Sequence, residues 1–145
     1  MNIELELQDM ELVNDSFESF KHILHKVKDI ENNFTKSFKL GLAENIINED
    51  DIKLLFQYKA TVEQINAEKN EVISKSSVEY MFFFNDNIGE VLGKIKKNDL
   101  SSEEKKDLII YLDRISYPYI KEYIENKYKR ANIEIKLPFE FRDNN

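Results

Sequence analysis

The sequence predicts an α+β fold in which four strands precede a helical region and a short extended tail. Three observations carry this. Leu54, Phe56, Tyr58, Ala60 and Val62 alternate with Lys53, Gln57, Lys59, Thr61 and Glu63, a period-two run that a helix does not produce. Ser101-Ser102-Glu103-Glu104 reads as a capping box, and the apolar positions behind it recur at helical spacing. Beyond Arg130 the period returns to two, with Ile133, Ile135 and Leu137.

Taken in order, Ile3, Leu5 and Leu7 alternate with Glu4, Glu6 and Gln8. They define a first strand over about 3–12, which Asn14-Asp15-Ser16 is expected to break. Phe20, Ile23, Leu24, Val27 and Ile30 then fall at helical spacing, so a helix is expected over 18–30. Phe38, Leu40 and Leu42 mark a second strand over 34–44, followed by a turn at Asn48-Glu49-Asp50-Asp51. The third strand spans 52–65. Asn66-Ala67-Glu68-Lys69-Asn70 is a polar turn of hairpin length, so the fourth strand, 72–84, returns antiparallel to the third. On it Val72, Val78, Tyr80, Phe82 and Phe84 share a face, made wetter near its start by Ser74 and Ser76.

Residues 85–100, punctuated by Gly89 and Gly93, form a crossover connection. The helical region, 102–130, carries Leu108, Ile109, Leu112 and Ile115. Pro118 either kinks it or ends one helix and begins another, because proline lacks a donor and crowds the preceding turn. Lys127, Lys129 and Arg130 sit where positive charge complements a helix dipole. The extended tail covers 132–141.

The chain has 145 residues, 28 acidic against 21 basic, and a net charge of −7. That balance argues against nucleic-acid binding, which draws on clustered Lys and Arg. With no cysteine, disulfides and thiolate metal sites are excluded. No apolar run reaches the ~18 residues of a membrane span, and Met1–Leu7 lacks the pattern of a signal peptide. The expected location is therefore the cytoplasm, without membrane insertion.

Enzyme chemistry has little to stand on. Gly89-Glu-Val-Leu-Gly93 is neither a dinucleotide fingerprint nor a phosphate loop. His22 and His25 are one helical turn apart, with Asp29 a turn further, but no other His or Cys completes a zinc set. The expectation is no catalysis, no metal and no cofactor. The aromatic residues are more informative. Leu55, Met81 and Phe83 lie on the face opposite Phe56, Tyr80 and Phe82, so the hairpin is apolar on both sides. Either a helix of the same chain covers the second side, or it is an exposed patch that marks a binding surface or a subunit interface.

The closing stretch holds Tyr117-Pro118-Tyr119, a helix through Arg130, then Leu137-Pro138 followed by Phe139 and Phe141. With the order of elements before it, it resembles the SecB family of protein-export chaperones. Phe139 stands where that family has a second proline, Lys121 where it has an arginine, and the sequence ends at Asn145 without the extension that helps engage the SecA motor. The resemblance implies a four-stranded antiparallel sheet, a crossover, and a long helix that packs across the sheet and helps form a homo-oligomer, dimer or tetramer. It also implies an ATP-independent holdase for unfolded polypeptides. These are either preproteins bound for export, with SecA as a partner, or an antitoxin, since SecB-like proteins also occur beside toxin–antitoxin modules.

On that basis Leu55, Met81 and Phe83 are the first candidates for client binding, and Val91 and Leu92 in the crossover the second. Tyr119, Tyr123, Ile120 and Ile124 are the candidates for the oligomer interface, with one helical stripe on the sheet and the other on a partner. A competing expectation from the charge alone is a small acidic protein that inhibits one basic partner.

Overall fold

The period-two runs pair into one antiparallel sheet, and the capped helix lies across one of its faces. The computed structural model describes residues 1–19, 29–44, 51–131, 133, 135 and 137. They form β1 (Leu5–Ser19), β2 (Ile30–Glu44), β3 (Ile52–Asn66), β4 (Glu71–Asp86), α1 (Glu90–Lys96) and α2 (Ser102–Arg130). The sheet order is β1-β4-β3-β2, so β1 and β2 are its edges. The β3–β4 hairpin closes on Asn66, whose Oδ1 accepts from Glu68 N and Lys69 N. Asn70 takes the positive φ, 53°, that the turn needs.

β1 runs straight through Asn14-Asp15-Ser16, where the sequence suggested a break. Its pairing with β4 shifts register between Leu7 and Asp9 and again between Leu12 and Asn14. Gln8 and Val13 are thus extra residues, two bulges in an edge strand. Each bulge exchanges the faces, so Leu5, Leu7, Met10, Leu12 and Phe17 all turn toward the same side despite their irregular spacing. Asp9 and Asn14 support the bulges locally, each carboxyl or amide oxygen accepting from the next backbone N–H at 2.8 Å. Turn-forming residues here serve a bulged strand, because pairing with β4 outweighs local propensity. Of the helix expected over 18–30, Glu18 and Ser19 belong to β1 and Ile30 opens β2. Residues 20–28, with His22 and His25, lie outside the described residues. So does most of the turn expected after Glu44.

A further bulge falls where Gln64 faces Ser74 but Ile65 faces Val72. It inserts Ile73, which is buried, and leaves Val72 on the other face, 43% exposed. Val72 is therefore not part of the core face. Ser74 and Ser76, expected to be wet, are both fully buried. Ser74 Oγ donates to Gln64 Oε1 at 2.9 Å and meets the Tyr128 hydroxyl at 3.1 Å, so its burial is compensated.

The core joins Leu54, Phe56, Tyr58, Ala60 and Val62 of β3, Val78, Tyr80, Phe82 and Phe84 of β4, Val91 of α1, and Leu108, Leu112, Ile120, Ile124 and Tyr128 of α2. Ile133, Ile135 and Leu137 of the tail complete it. The crossover contains α1, entered at Gly89 with φ 84°, a conformation that favours glycine. Leu92 N donates to Asp86 Oδ2 at 3.0 Å, and this holds α1 against the end of β4.

α2 is one helix with Pro118 inside it, so the proline neither ends it nor starts another. Its N-terminus has the full capping box: Glu104 N donates to Ser101 Oγ and Ser101 N to Glu104 Oε1. Further polar contacts fix α2 on the sheet. Asp113 accepts from Lys36 Nζ of β2 and from the Tyr58 hydroxyl of β3, both at 2.7 Å. The Tyr111 hydroxyl donates to Leu5 O at 3.1 Å. Lys127 contacts the Asp15 carboxylate, and the Tyr123 hydroxyl donates to the same group at 2.5 Å.

The Lys36–Asp113 pair is buried, its side chains only 10% and 12% exposed. Asp113→Ala strips the carboxylate from a buried ammonium and should lower stability by about 3 kcal/mol, read as a lower urea midpoint. Replacing both partners with apolar residues, Lys36→Met with Asp113→Leu, should recover most of that loss. Glu104 supplies a pH test. Its hydrogen bond with Lys94 and the capping bond from Ser101 lower its carboxyl from 4.5 to about 2. A folded value below the unfolded one adds stability above pH ~4.5, lost as pH falls toward 2. Glu104→Gln should therefore be less stable than wild type at neutral pH. The gap should close in acid, as followed by helical circular dichroism.

Candidate functional site

α1, α2 and the buried tail residues all pack on the same face of the sheet. Among the described residues, none of theirs lies on the other face. Leu55, Met81 and Phe83 sit together there. Leu55 faces Phe83 across the β3–β4 pair, and Met81 follows two residues before Phe83 on β4. All three are half-buried. Gly41 faces Leu55 from β2, and a Cβ there would come within 3.9 Å of Leu55 Cδ2. The missing side chain leaves the β2 side of the patch low and open.

The bulge at Gln8 gives this face its charge. It places Asp9 opposite Phe83 and Glu11 opposite Met81, so exposed carboxylates border the patch along β1. On the far side stand exposed Lys39 of β2 and Lys59 of β3, and half-buried Lys53, which pairs with Asp51 at 3.5 Å. The patch is apolar in the centre, acidic toward β1 and basic toward β2. Sequence periodicity found Leu55, Met81 and Phe83. It did not find Asp9, Glu11, Lys39 or Gly41, because only cross-strand register brings them to the same spot.

The other candidates divide. Val91 is fully buried in the core, where α1 lies against β4, and offers no surface. Leu92 is half-buried at the rim of the crossover and packs on the core. Ile120 and Ile124 are fully buried between α2 and the sheet, so they hold the fold together and do not face a second copy. Tyr119 is 42% exposed, its ring 6.4 Å from Phe82. Tyr123 is half-buried, edge-on to Tyr80 at 5.6 Å, and its hydroxyl is engaged by Asp15. Burial and the nearby Tyr80 raise its hydroxyl above the usual tyrosine range. Burial lowers Lys127, so this corner is partly shielded from water. Beyond Tyr119 and Tyr123 the core face continues onto Met10 and Leu12 of β1, and Leu12 is 42% exposed.

Among the described residues no group of three or more His, Cys, Asp or Glu is placed to hold a metal ion. Nor is any helix among them long and apolar enough to cross a membrane. Asp113 is buried, but its oxygens are taken by Lys36 and Tyr58 and it ties α2 to the sheet. What the surface offers is an apolar strip flanked by opposite charges.

The sheet order, the crossover and the single long helix on one face are those of a SecB-like fold. Among solved structures, the Mycobacterium tuberculosis SecB-like chaperone in complex with a ChAD peptide from the HigA1 antitoxin matches with a TM-score of 0.62. The match covers 95% of this chain and 91% of that one at 13% identity, a likeness of fold. No family model matches the sequence, and no curated protein does.

Proposed function

We propose that the protein is an ATP-independent holdase that binds unfolded or aggregation-prone polypeptide, with an antitoxin as the favoured client and preproteins, delivered to SecA, as the lesser one. The observation that carries this is the apolar patch of Leu55, Met81 and Phe83 on the face of the sheet that no described residue of α1, α2 or the tail covers. The fold likeness to a chaperone holding an antitoxin peptide supports the choice of client. Binding then rests on apolar burial, which is non-directional and suits many sequences. Met81, flexible and polarizable, adapts to differing side chains. Leu92 adds a secondary contact at the crossover.

The exposed strip of Tyr119, with Leu12 and Met10 beside it, is the proposed homo-oligomer surface. Tyr123 stands at its edge, held by Asp15. Assembly of two or four copies brings several patches to one client, and many weak contacts add up to avidity. The acidic border of Asp9 and Glu11, with the net charge of −7, favours a second reading, an inhibitor of one basic partner. The two separate on salt: apolar holding persists at high salt, whereas binding to one basic partner falls steeply.

Dilution of a chemically unfolded protein into buffer, followed by light scattering, tests the holdase. Near-stoichiometric suppression of scattering without ATP is the expected result. Leu55→Ser with Phe83→Ser should weaken suppression roughly tenfold, since two half-buried side chains together supply about 1.4 kcal/mol. Unchanged suppression would remove the patch from the mechanism. Tyr119→Asp should lower the oligomer mass measured by light scattering on a sizing column. It is a cleaner probe than Tyr123, whose loss also breaks the internal bond to Asp15.

A further inference from the structure

The outer face of the sheet is complementary to itself. Read across β2, β3, β4 and β1, one row is Lys39, Gln57, Met81, Glu11 and the next is Gly41, Leu55, Phe83, Asp9. The following row on the other side is Ser37, Lys59, Glu79, Asn14, and a more distant one is Asn33, Glu63, Lys75, Glu18. In three of these rows an acid and a base stand at positions related by reflection through the β3–β4 boundary: Glu11 with Lys39, Glu79 with Lys59, and Glu63 with Lys75, the last already paired within the chain at 3.5 Å; Asp9 and Glu18 stand across from Gly41 and Asn33. Such a pattern has a consequence for two copies. A two-fold axis parallel to the strands, midway between two facing sheets, lays β1 over β2 and β3 over β4 while keeping each row in place. Glu11 then meets Lys39 of the second copy, Glu79 meets Lys59, Glu63 meets Lys75, and Phe83 meets Leu55, each pair occurring twice. A two-fold axis across the strands lays β1 over β1 and stacks Asp9 and Glu11 near their own equivalents, which repels.

We propose that, in the absence of client, the outer face of the sheet is covered by the same face of a second copy in this charge-matched, strand-aligned arrangement. Facing sheets pack about 10 Å apart with their strands near −30°, so rows match best where the two sheets cross. A crossing centred on the rows of Leu55, Met81 and Phe83 buries the apolar centre and keeps the Glu11–Lys39 and Glu79–Lys59 pairs close by. The apolar centre is small, and the chain as a whole carries a net charge of −7 that opposes association of two copies. The pairing is therefore weak, concentration-dependent and lost at high salt. It goes beyond the holdase reading and adds regulation to it: the second copy and the client compete for one surface, so the patch is masked until a client displaces the cap. It is also separate from the Tyr119 strip, which lies on the opposite side of the sheet.

The absence of cysteine from the sequence makes a direct test simple. Gln57→Cys puts one thiol on the outer face beside the proposed axis, and a bismaleimide of about 10 Å reach, the sheet spacing, bridges it to its mate. At low salt the cross-linked dimer should form, and it should fall roughly tenfold when Lys39→Glu and Lys59→Glu are added. Adding Glu11→Lys and Glu79→Lys to that chain reverses both of the disrupted charge pairs and should restore the dimer. An unfolded client polypeptide, added before the reagent, should suppress it. No cross-link, a cross-link indifferent to the Lys39 and Lys59 changes, or no recovery on full charge reversal would each overturn the pairing. Light-scattering suppression by the same variants reports the holdase independently. A chain that suppresses aggregation without ever cross-linking would retain that function and lose this regulation.

Discussion

One helix on one face of a four-stranded sheet is the constraint from which the rest of the molecule follows. Four strands spaced about 4.8 Å apart make a sheet roughly 19 Å wide, and a helix with its side chains is about 10–12 Å across. α2 can therefore roof the middle of the sheet and not its margins. It settles on β3 and β4, where the buried aromatic residues are densest, and the tail residues Ile133, Ile135 and Leu137 extend the cover. The β1 margin stays partly open, which is why Leu12 and Tyr119 remain exposed. The second face of the sheet receives no helix at all among the described residues.

The position of α2 on that roof is set by polar groups as much as by apolar ones. Asp113 joins the helix to an edge strand through Lys36 and to a central strand through Tyr58. Buried ion pairs add little net stability against apolar residues of the same size, but they tolerate few alternative geometries. A helix that could slide on a greasy surface is thereby held in one register. Asp15 does the same near the other end, through Lys127 and Tyr123. The exposed rim and the face away from α2 are thus presented on a support held in one register.

For function, the important feature is that apolar surface is left over after folding and that charge surrounds it. The acidic chain keeps Leu55, Met81 and Phe83 together on the face of the sheet away from α2. The SecB-like fold, this patch and the flanking acidic and basic borders support the proposed polypeptide partner. The matched charge rows support a second copy as its proposed temporary substitute.

Much of this was legible in the residues themselves. Strict alternation from Leu54 to Val62 specifies a strand with one buried face, because side chains of an extended chain alternate sides regardless of context. The Ser101–Glu104 box specifies a helix start by local hydrogen bonds alone. The prediction that Leu55, Met81 and Phe83 share a face needed only the same alternation. The sequence misled where tertiary pairing competes with local preference. Asn14-Asp15-Ser16 favours a turn, but pairing with β4 absorbs it as a bulged strand. Val72 follows the parity of the core, but the insertion of Ile73 turns it outward. Val91, Ile120 and Ile124 carry no mark that tells a core residue from a binding one. So the chain by itself determined strands, helix and faces, since these depend on neighbours in sequence. Which face is roofed, which charges border the patch, and which apolar residues stay accessible depend on register between distant strands, and only the tertiary structure decided them.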